Sequence, residues 1–246
     1  MGAARGARHH WQCPSKLLLD AKPWMQRLPE PELMVDPAQV LAYAAADFSG
    51  GDQRILDRIE ALLSSASGRA ASDPAVILDL GCGPGNISLP LAKRFPESQV
   101  IGVDGSPAML QVARDRADQQ GLSIDLRCST LQDLALEPVD LIVSNSLLHH
   151  LHEPGLLWGL TRELAAPGCR VLHRDLRRPA ALAEVHRLQQ LHCFDAPAVL
   201  IQDFCASLVA AFTPEEVQQQ LALAGLDGLT VETEDDRYLV VSGLVD

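Results

Sequence analysis

The sequence lacks any long uninterrupted run of apolar residues. A membrane-spanning helix needs about 20 of them, and no stretch of the 246 residues approaches that length. The apolar segment of a signal peptide is missing as well. Residues 1–19 carry Arg5, Arg8 and Lys16 and no acidic residue, which is compatible with a transit peptide or with a disordered tail. We favour the tail, and the sequence predicts no membrane span.

Paired cysteine motifs are also missing. None of the six cysteines stands in the C-x-x-C spacing of zinc sites and redox motifs. They are Cys13, Cys82, Cys128, Cys169, Cys193 and Cys205. Cysteines scattered in this way are typical of reduced thiols in a cytosolic protein. The sequence therefore predicts a cytoplasmic location.

Basic residues are few relative to acidic ones. The chain has 20 Lys and Arg against 32 Asp and Glu, which gives a net charge of −12 and a pI near 5.0. Affinity for nucleic acid depends mainly on Lys and Arg that neutralise phosphates. The charge thus favours a small-molecule partner, although an acidic protein can still modify RNA.

From residue 74 onward the predicted strands and helices alternate, as in a parallel sheet with right-handed crossovers. The length suits one α/β domain with a small appendage. We predict a flexible N-terminal tail at 1–35, a helical cover at 36–70, and a main domain at 71–246. The main domain has a helical insertion at about 180–211 and ends in an antiparallel hairpin.

A glycine-rich turn is the most informative segment. Residues 76–86 read VILDLGCGPGN, a buried strand followed by three glycines at alternate positions, and the next strand ends at Asp104. The spacing G-x-G-x-G differs from the G-x-G-x-x-G of dinucleotide-binding turns. Asp79 would repel a pyrophosphate but could accept a hydrogen bond from an ammonium group, directly or through water. With Asp104 placed for two ribose hydroxyls, the turn predicts a site for a sugar and a cationic amino acid.

This pattern resembles that of the class I S-adenosylmethionine-dependent methyltransferases. Residues 78–85 of this chain closely match the first sequence motif of that family. The resemblance extends from about residue 74 to the C-terminus. It implies a Rossmann-like α/β fold, with a mostly parallel seven-stranded sheet, an antiparallel C-terminal hairpin and helices on both faces. It also implies S-adenosyl-L-methionine (SAM) as the cofactor. The cofactor-binding residues that it implies are Asp79, Gly81, Cys82, Gly83, Gly85, Asn86, Asp104, Gly105, Met109, Thr130, Leu131, Asn145 and Ser146.

Two of these positions have alternatives. Met109 lies on the first turn of a predicted helix, where it can contact adenine, belong to the core, or both. At Thr130 the relatives usually carry an acid that accepts the adenine amino group. A hydroxyl makes a weaker hydrogen bond than a carboxylate does. For Leu131 the resemblance implies a contact between its backbone N–H and the adenine ring.

The N-terminal helices are predicted from their caps and periodicity. Asp36 is the expected N-cap of the first, with Pro37 at its first position. In the resembled family such helices often cover the cofactor and contribute to the substrate pocket. Tyr43 and Phe48 are therefore candidate substrate contacts, and packing of the helix onto the domain is the alternative.

The loop after the fourth predicted strand contains Asn145, Ser146, His149 and His150. It lacks the (Asn/Asp/Ser)-Pro-Pro-aromatic motif of enzymes that methylate exocyclic amines. Its Leu-His-His-Leu run resembles small-molecule methyltransferases, including those of quinone biosynthesis. His149 or His150 is a candidate general base, and simple packing beside the cofactor is the alternative. We predict no metal site, because adjacent residues point apart and no carboxylate or cysteine completes a known spacing.

Three more candidate substrate residues follow. Arg177 and Arg178 come directly after the fifth predicted strand, where they could hold a carboxylate or phosphate of the substrate or could simply be solvated. Phe204 lies in the predicted helical insertion, which commonly lines the acceptor site in the resembled family. Its helical spacing fits packing on the core equally well.

Three functions are consistent with these features. The first is SAM-dependent transfer of a methyl group to a small molecule by in-line displacement. The second is methylation of tRNA or rRNA, because the fold is shared and the motif does not specify the substrate. The third is a SAM-binding protein that transfers no methyl group. The first agrees best with the acidic charge and the histidine loop.

Overall fold

The computed structural model describes residues 25–64 and 73–245. Seven strands lie in this part of the chain: β1 (Val76–Leu80), β2 (Gln99–Asp104), β3 (Asp125–Cys128), β4 (Val139–Asn145), β5 (Ala165–Leu176), β6 (Leu229–Thr233) and β7 (Tyr238–Val245). They form one sheet in the order β3-β2-β1-β4-β5-β7-β6. All pairings are parallel except those of β7, which runs antiparallel to β5 and to β6. The predicted fold class is confirmed.

Helices connect the strands and cover the sheet. They are α1 (Pro37–Ala45), α2 (Ser49–Ser64), α3 (Ser88–Arg94), α4 (Pro107–Gln120), α5 (Gly155–Leu164), α6 (Leu182–His192), α7 (Ala198–Ala210) and α8 (Pro214–Ala224), with a 3₁₀ turn at Leu148–His150. The helical insertion predicted at about 180–211 corresponds to α6 and α7. Within the described ranges, no helix combines the length and apolarity that crossing a membrane requires.

Successive side chains of a strand point to opposite faces of the sheet. In β1 both sets of side chains are buried, because a separate core cluster packs on each face. Leu78 packs into a core cluster with the fully buried Trp158 of α5. Its neighbour Ile77 packs into a second cluster with Ile55 and Ile59 of α2. The unbroken apolar run of β1 is explained by this double coverage.

Side-chain and glycine caps fix the ends of several helices, and the predicted N-cap Asp36 is one of them. Asp36 accepts hydrogen bonds from backbone amides at the start of α1, and Ser106 does the same for α4. Gly121 ends α4 in the left-handed conformation, with φ 64°. A capping box between Thr213 and Glu216 begins α8. These caps are worth about 1 kcal/mol each.

Residues 25–35, which we call the N-terminal strap, contain no helix or strand but are tied to the domain. The Arg27 guanidinium donates to three backbone carbonyls, those of Ala210 (2.5 Å), His149 (3.1 Å) and Leu151 (2.9 Å). It also lies 4.0 Å above the Phe212 ring. For residues 25–35 the predicted free tail is therefore wrong, because one arginine satisfies three carbonyls at the edge of the domain. Residues 1–24 lie outside the described part of the chain.

Candidate active site

A cavity of about 800 Å³ opens at the carboxyl ends of β1, β2 and β4. The strap, α1, α2 and the α6–α7 segment form its opposite wall. The position is the point where the strand order reverses, because β1 has β2 on one side and β4 on the other. Open α/β sheets bind their ligands at this point. The volume lies within the ~300–1,000 Å³ typical of ligand sites.

The glycine turn after β1 forms the floor of this cavity. Gly81, Gly83 and Gly85 all have positive φ, at 67°, 52° and 82°. At Gly83 a Cβ atom would meet no protein atom within 4 Å, so its backbone faces open space. At Gly85 a Cβ would approach Leu89 to 3.0 Å, so this glycine allows α3 to pack closely. The turn thus exposes backbone to a ligand at Gly83.

Asp104 lies across from the turn, at the end of β2. Its carboxylate accepts hydrogen bonds from the Gly83 amide at 2.8 Å and from the Ser106 amide at 2.7 Å. Burial raises the pKa of Asp104 above its ordinary value, and the two amides partly offset that effect. The carboxylate lines the cavity with lone pairs left over for a ligand.

The end of β4 carries an unusual backbone conformation. Ser146 has φ 59° and is the one non-glycine residue with positive φ among residues 25–64 and 73–245. Its amide donates to the Arg174 carbonyl at 2.8 Å, which holds the conformation in place. Non-glycine residues in this region cost about 1–3 kcal/mol and are concentrated at functional sites. Ser146 and its neighbour Asn145 both line the cavity.

A cluster of acids and histidines lies next to this strained turn. Asp175, at the end of β5, accepts the Leu148 amide and the His149 Nδ1 proton, each at 2.6 Å. The other ring nitrogen of His149 lies 3.5 Å from Glu30 of the strap. The same Glu30 oxygen lies 3.2 Å from Nδ1 of His150 and accepts the Ser207 hydroxyl at 2.9 Å. Both histidines line the cavity.

The charges of this cluster depend on each other. Burial opposes a charge on His149, but Asp175 and Glu30 outweigh it and raise the pKa of His149 above its usual value. Burial, together with the neighbouring His149, lowers the pKa of His150 to about 3. Burial raises the pKa of Glu30, while His149 and Ser207 act against that shift. At neutral pH His150 is thus an uncharged imidazole with a free lone pair.

Comparison with known proteins agrees with this geometry. Residues 77–168 match a family model described as a methyltransferase domain. The ubiquinone biosynthesis O-methyltransferase of Cereibacter sphaeroides is 37% identical over 105 residues, which are 40% of this chain and 42% of that protein. The trans-aconitate 2-methyltransferase of Methylobacterium nodulans is 36% identical over 142 residues, 56% of this chain and 49% of that protein. The chain thus spans less than half the length of these curated relatives.

Solved structures show the same fold. The plantazolicin methyltransferase BamL, crystallised with a triazolic desmethylPZN analogue and SAH, superposes with a TM-score of 0.67 at 15% identity, over 85% of this chain and 90% of that one. Residues 77–168 are therefore similar in sequence to a methyltransferase domain, and the fold is that of the class I methyltransferases. A SAM-dependent methyltransferase from Aquifex aeolicus matches with a TM-score of 0.61 at 17% identity, over 87% of this chain and all of that one. At these identities the likeness concerns the fold.

Most of the cofactor residues implied by the resemblance line the cavity. They are Gly81, Gly83, Asp104, Gly105, Met109, Thr130, Leu131, Asn145 and Ser146. Thr130 also donates from its hydroxyl to Asp133 at 2.7 Å, so its oxygen is already engaged as a donor. The candidate residues Tyr43, Phe48 and Phe204 line the cavity as well, and the rings of Tyr43 and Phe48 lie 4.7 Å apart.

Four of the implied cofactor residues do not line the cavity. Asp79 is buried below the turn and accepts a hydrogen bond from Ser88, because its side chain points to the same face as Ile77. Burial raises the pKa of Asp79 to about 7. The Asp79 carboxylate is therefore not placed to contact an ammonium group of a ligand in the cavity directly. The other three are Cys82, which is buried, Gly85, which packs against α3, and Asn86, which accepts a hydrogen bond from Arg116.

The prediction that Arg177 and Arg178 face the substrate pocket is wrong. Strand β5 continues to Leu176, which lines the cavity, whereas neither of the two arginines that follow does. The Arg177 guanidinium donates to the Asp235 carbonyl. Arg178 is buried and donates to the Ala211 carbonyl and to Glu216. Both side chains stabilise the junction between β5, the hairpin and α8.

Three other arginines line the cavity, Arg54, Arg174 and Arg237, and of these Arg174 is the most buried. It pairs with Glu234 at 2.6 Å and lies 3.5 Å above the Tyr238 ring. Its position in β5 is directly opposite Asn145 of β4, and its Nη1 donates to the Asn145 side chain at 3.3 Å. The sequence gives no signal for this pairing, because it depends on the register between the two strands.

Glu30 and Asp175 were also missed from the sequence. Asp175 was visible as a strand-end carboxylate next to the histidine loop. Glu30 carries no local signal, because its position depends on the path of the strap. The two reasons against a metal site do not hold in the structure. The 3₁₀ turn places the rings of His149 and His150 4.2 Å apart, and Glu30 supplies a carboxylate.

Proposed function

We propose that the chain is a cytoplasmic SAM-dependent methyltransferase that transfers a methyl group to a small-molecule acceptor. The observation that carries the proposal is the position of the glycine turn, Asp104 and the two histidines around one cavity. The curated relatives are named for methylation of small molecules, and the BamL structure contains SAH. The five described cysteines are free thiols, in keeping with a reducing compartment.

The residues at one end of the cavity fit the cofactor. The open backbone at Gly83 leaves room for the amino-acid part, and Asp104 can accept hydrogen bonds from both ribose hydroxyls. Met109 and Leu131 supply apolar contacts for the adenine ring. Leu33 of the strap lies against Gly105, so the strap covers this end of the cavity.

When bound, SAM supplies an electrophilic methyl group on a sulfonium. The protein contributes mainly position, because the reacting atoms must be in line and about 3 Å apart. Asn145 and Ser146 line the cavity between the glycine turn and the histidines in sequence. His149 and His150 face the remaining space, so we assign to them the catalytic task of receiving the acceptor's nucleophilic group. Tyr43, Phe48 and Phe204 form apolar walls that orient the acceptor and exclude water.

The acceptor side favours a small molecule over nucleic acid. The cavity has to hold both the cofactor and the acceptor in about 800 Å³, and its rim is shared between acids and arginines. The net charge of −12 gives no excess of cations for a phosphate backbone. An oxygen nucleophile fits the histidine cluster best. A hydroxyl group must lose its proton during methyl transfer, and the imidazoles of His149 and His150 lie close enough to the cavity to receive it.

The proposal is tested by incubating the folded protein with methyl-labelled SAM and separated cell fractions. The fractions are a protein-free small-molecule extract, total RNA and total protein. We expect SAH to be released, with the label in an organic-soluble product, only with the small-molecule extract. Label confined to RNA would replace the proposal with an RNA methyltransferase. SAM binding without release of SAH from any fraction would replace it with a SAM-binding protein that transfers no methyl group.

A further inference from the structure

Three potential metal-binding atoms meet beside the cavity. They come from two distant segments: Oε1 of Glu30 in the strap, and Nε2 of His149 and Nδ1 of His150 in the 3₁₀ turn. The two nitrogens lie 3.5 Å and 3.2 Å from the carboxylate oxygen, and all three atoms lie within 4.8 Å of one another. The side chains are only 12%, 3% and 21% exposed. Few water molecules can therefore satisfy them.

The separations match those between ligands of one metal ion. Zinc binds histidine nitrogen and carboxylate oxygen at about 2.0–2.2 Å, so two ligands of a tetrahedral ion lie about 3.3–3.6 Å apart. The Glu30 oxygen lies 3.5 Å from the His149 nitrogen, inside this range, and 3.2 Å from the His150 nitrogen, just below it. Three protein ligands also leave one position of a tetrahedral ion open, as in catalytic zinc sites.

An unpartnered nitrogen supports this assignment independently. Nδ1 of His150 is buried and has no hydrogen-bond partner, although the Glu30 carboxylate is close to it. A buried polar atom without a partner costs about 1–3 kcal/mol. A cation between His150 and Glu30 would remove that cost, because it accepts the lone pair of the nitrogen and the charge of the carboxylate at once.

The neighbours of the cluster orient it for a cation. Asp175 accepts the proton of His149 Nδ1, which leaves the Nε2 lone pair directed at Glu30. A carboxylate behind a histidine ligand is the common arrangement in metal sites. Ser207 holds Glu30 in place through the same oxygen. The nearest cation, Arg27, donates to the His149 and Leu151 carbonyls, and is not paired with either carboxylate.

We propose that Glu30, His149 and His150 bind a divalent metal ion, with zinc the best match to the donor set, whose open position takes the acceptor's hydroxyl group. The role in catalysis rests on the proposed function. A hydroxyl bound to a divalent cation loses its proton far more readily than a free one. The proton passes to water, the oxygen's electron pair forms the bond to the methyl carbon, and the carbon–sulfur pair leaves with SAH. The two histidines then act as ligands.

Metal binding is measured first without any substrate. Protein treated with a chelator and checked for folding by circular dichroism is titrated with Zn²⁺ against a chromophoric chelator. We expect one ion per chain. The same protein titrated with Co²⁺ should give the intense visible absorption of a four-coordinate site. The proposal would be overturned if the folded wild-type protein bound neither Zn²⁺ nor Co²⁺ at a specific site.

Three variants locate the site. His150→Ala and Glu30→Gln should each weaken Zn²⁺ binding by more than about 100-fold, because each removes a ligand and not merely a supporting group. His186→Ala is the matched control, because His186 is an exposed histidine on α6, and it should bind Zn²⁺ as the wild type does. Undiminished binding by both ligand variants would contradict the assignment. If either variant fails to fold, the Co²⁺ spectrum of the wild type still decides between four-coordinate and six-coordinate binding.

Calorimetry with SAM separates this inference from the proposed function. A protein that binds SAM but not Zn²⁺ retains the proposed function and loses the metal site. A protein that binds Zn²⁺ at these residues but not SAM retains the metal site and loses the proposed function.

Discussion

His149 Nδ1 lies 2.6 Å from Asp175 Oδ1, and both side chains are almost completely buried beside the cavity. The two residues are 26 positions apart: His149 lies in the 3₁₀ turn that follows β4, and Asp175 lies near the end of the neighbouring strand β5. Asp175 also accepts the Leu148 amide, so it fixes the 3₁₀ turn and the histidine ring together. The direction in which His149 Nε2 points is therefore set by Asp175.

Replacing Asp175 should consequently weaken metal binding without removing a ligand. We expect Asp175→Asn to reduce Zn²⁺ affinity by about 10–100-fold, the usual effect of losing a carboxylate behind a histidine ligand. Titration with Zn²⁺ against a chromophoric chelator measures this, and SAM binding serves as the control for an intact fold. Zn²⁺ affinity equal to that of the wild type would show that Asp175 does not orient His149.

The glycine turn allows a comparison between two glycines with nearly the same conformation. Gly83 has φ 52° and Gly121 has φ 64°, and at each a Cβ would meet no protein atom within 4 Å. Alanine at either position should therefore cost stability of about 1–2 kcal/mol. Only Gly83→Ala places the new methyl group in the cavity, so only this variant should lose SAM affinity.

Calorimetry and urea unfolding of both glycine variants test this prediction. Gly121→Ala measures the effect of backbone strain alone. Equal losses of SAM affinity in the two variants would mean that the Gly83 backbone does not face the cofactor.

The part of the site that the sequence predicts is the part built from one continuous segment. Strand β1, the turn and the end of β2 lie within residues 76–106, and their glycines and carboxylates follow from local geometry. Helix caps at Asp36, Ser106 and Thr213 are local as well. Such features depend on backbone conformation over a few residues, which the residue types specify directly.

The acceptor side could not be predicted in the same way. Glu30 reaches the histidines across 119 positions, because Arg27 ties the strap to backbone carbonyls, and every residue type offers a carbonyl. Arg174 was not among the predicted site residues, because its place opposite Asn145 depends on the register between β4 and β5. The antiparallel pairing with β7 continues to Leu176, and the two arginines beyond it do not line the cavity.

Arg178 should therefore matter for stability. Arg178→Met removes its hydrogen bonds to the Ala211 carbonyl and to Glu216. We expect a loss of about 1–3 kcal/mol in the free energy of unfolding, measured by urea denaturation, with SAM affinity unchanged. Arg187→Met is the control, because Arg187 makes an exposed pair with Glu184 and its removal should change stability little. A stable Arg178→Met protein with weakened ligand binding would restore the substrate role.

Buried His173 predicts how stability depends on pH. The ring lies between the Ser144 and Thr161 hydroxyls, and burial lowers its pKa to about 4. The unfolded chain, with an ordinary pKa near 6.5, therefore binds a proton first as the pH falls. Stability from this residue is complete above about pH 6.5 and is lost between pH 6.5 and pH 4.

Comparison with His173→Gln isolates this contribution from other titrating groups. Between pH 7.5 and pH 4.5 the wild type should lose about 2–3 kcal/mol more of its unfolding free energy than the variant does. Urea denaturation at the two pH values measures both proteins. The same loss in each would show that His173 is protonated in the folded state as readily as in the unfolded chain.

The central claim is that the cavity binds SAM, and calorimetry of the wild type and of Asp104→Ala tests it most directly. Asp115→Asn is the matched control, an exposed acid on α4 outside the cavity. We predict that SAM and SAH bind to the wild type and to the control with similar affinity. Asp104→Ala, which loses the paired hydrogen bonds to the ribose, should bind more weakly by about 1–3 kcal/mol. No SAM binding by folded wild-type protein at high micromolar concentration, or equal affinity in Asp104→Ala, would contradict the account.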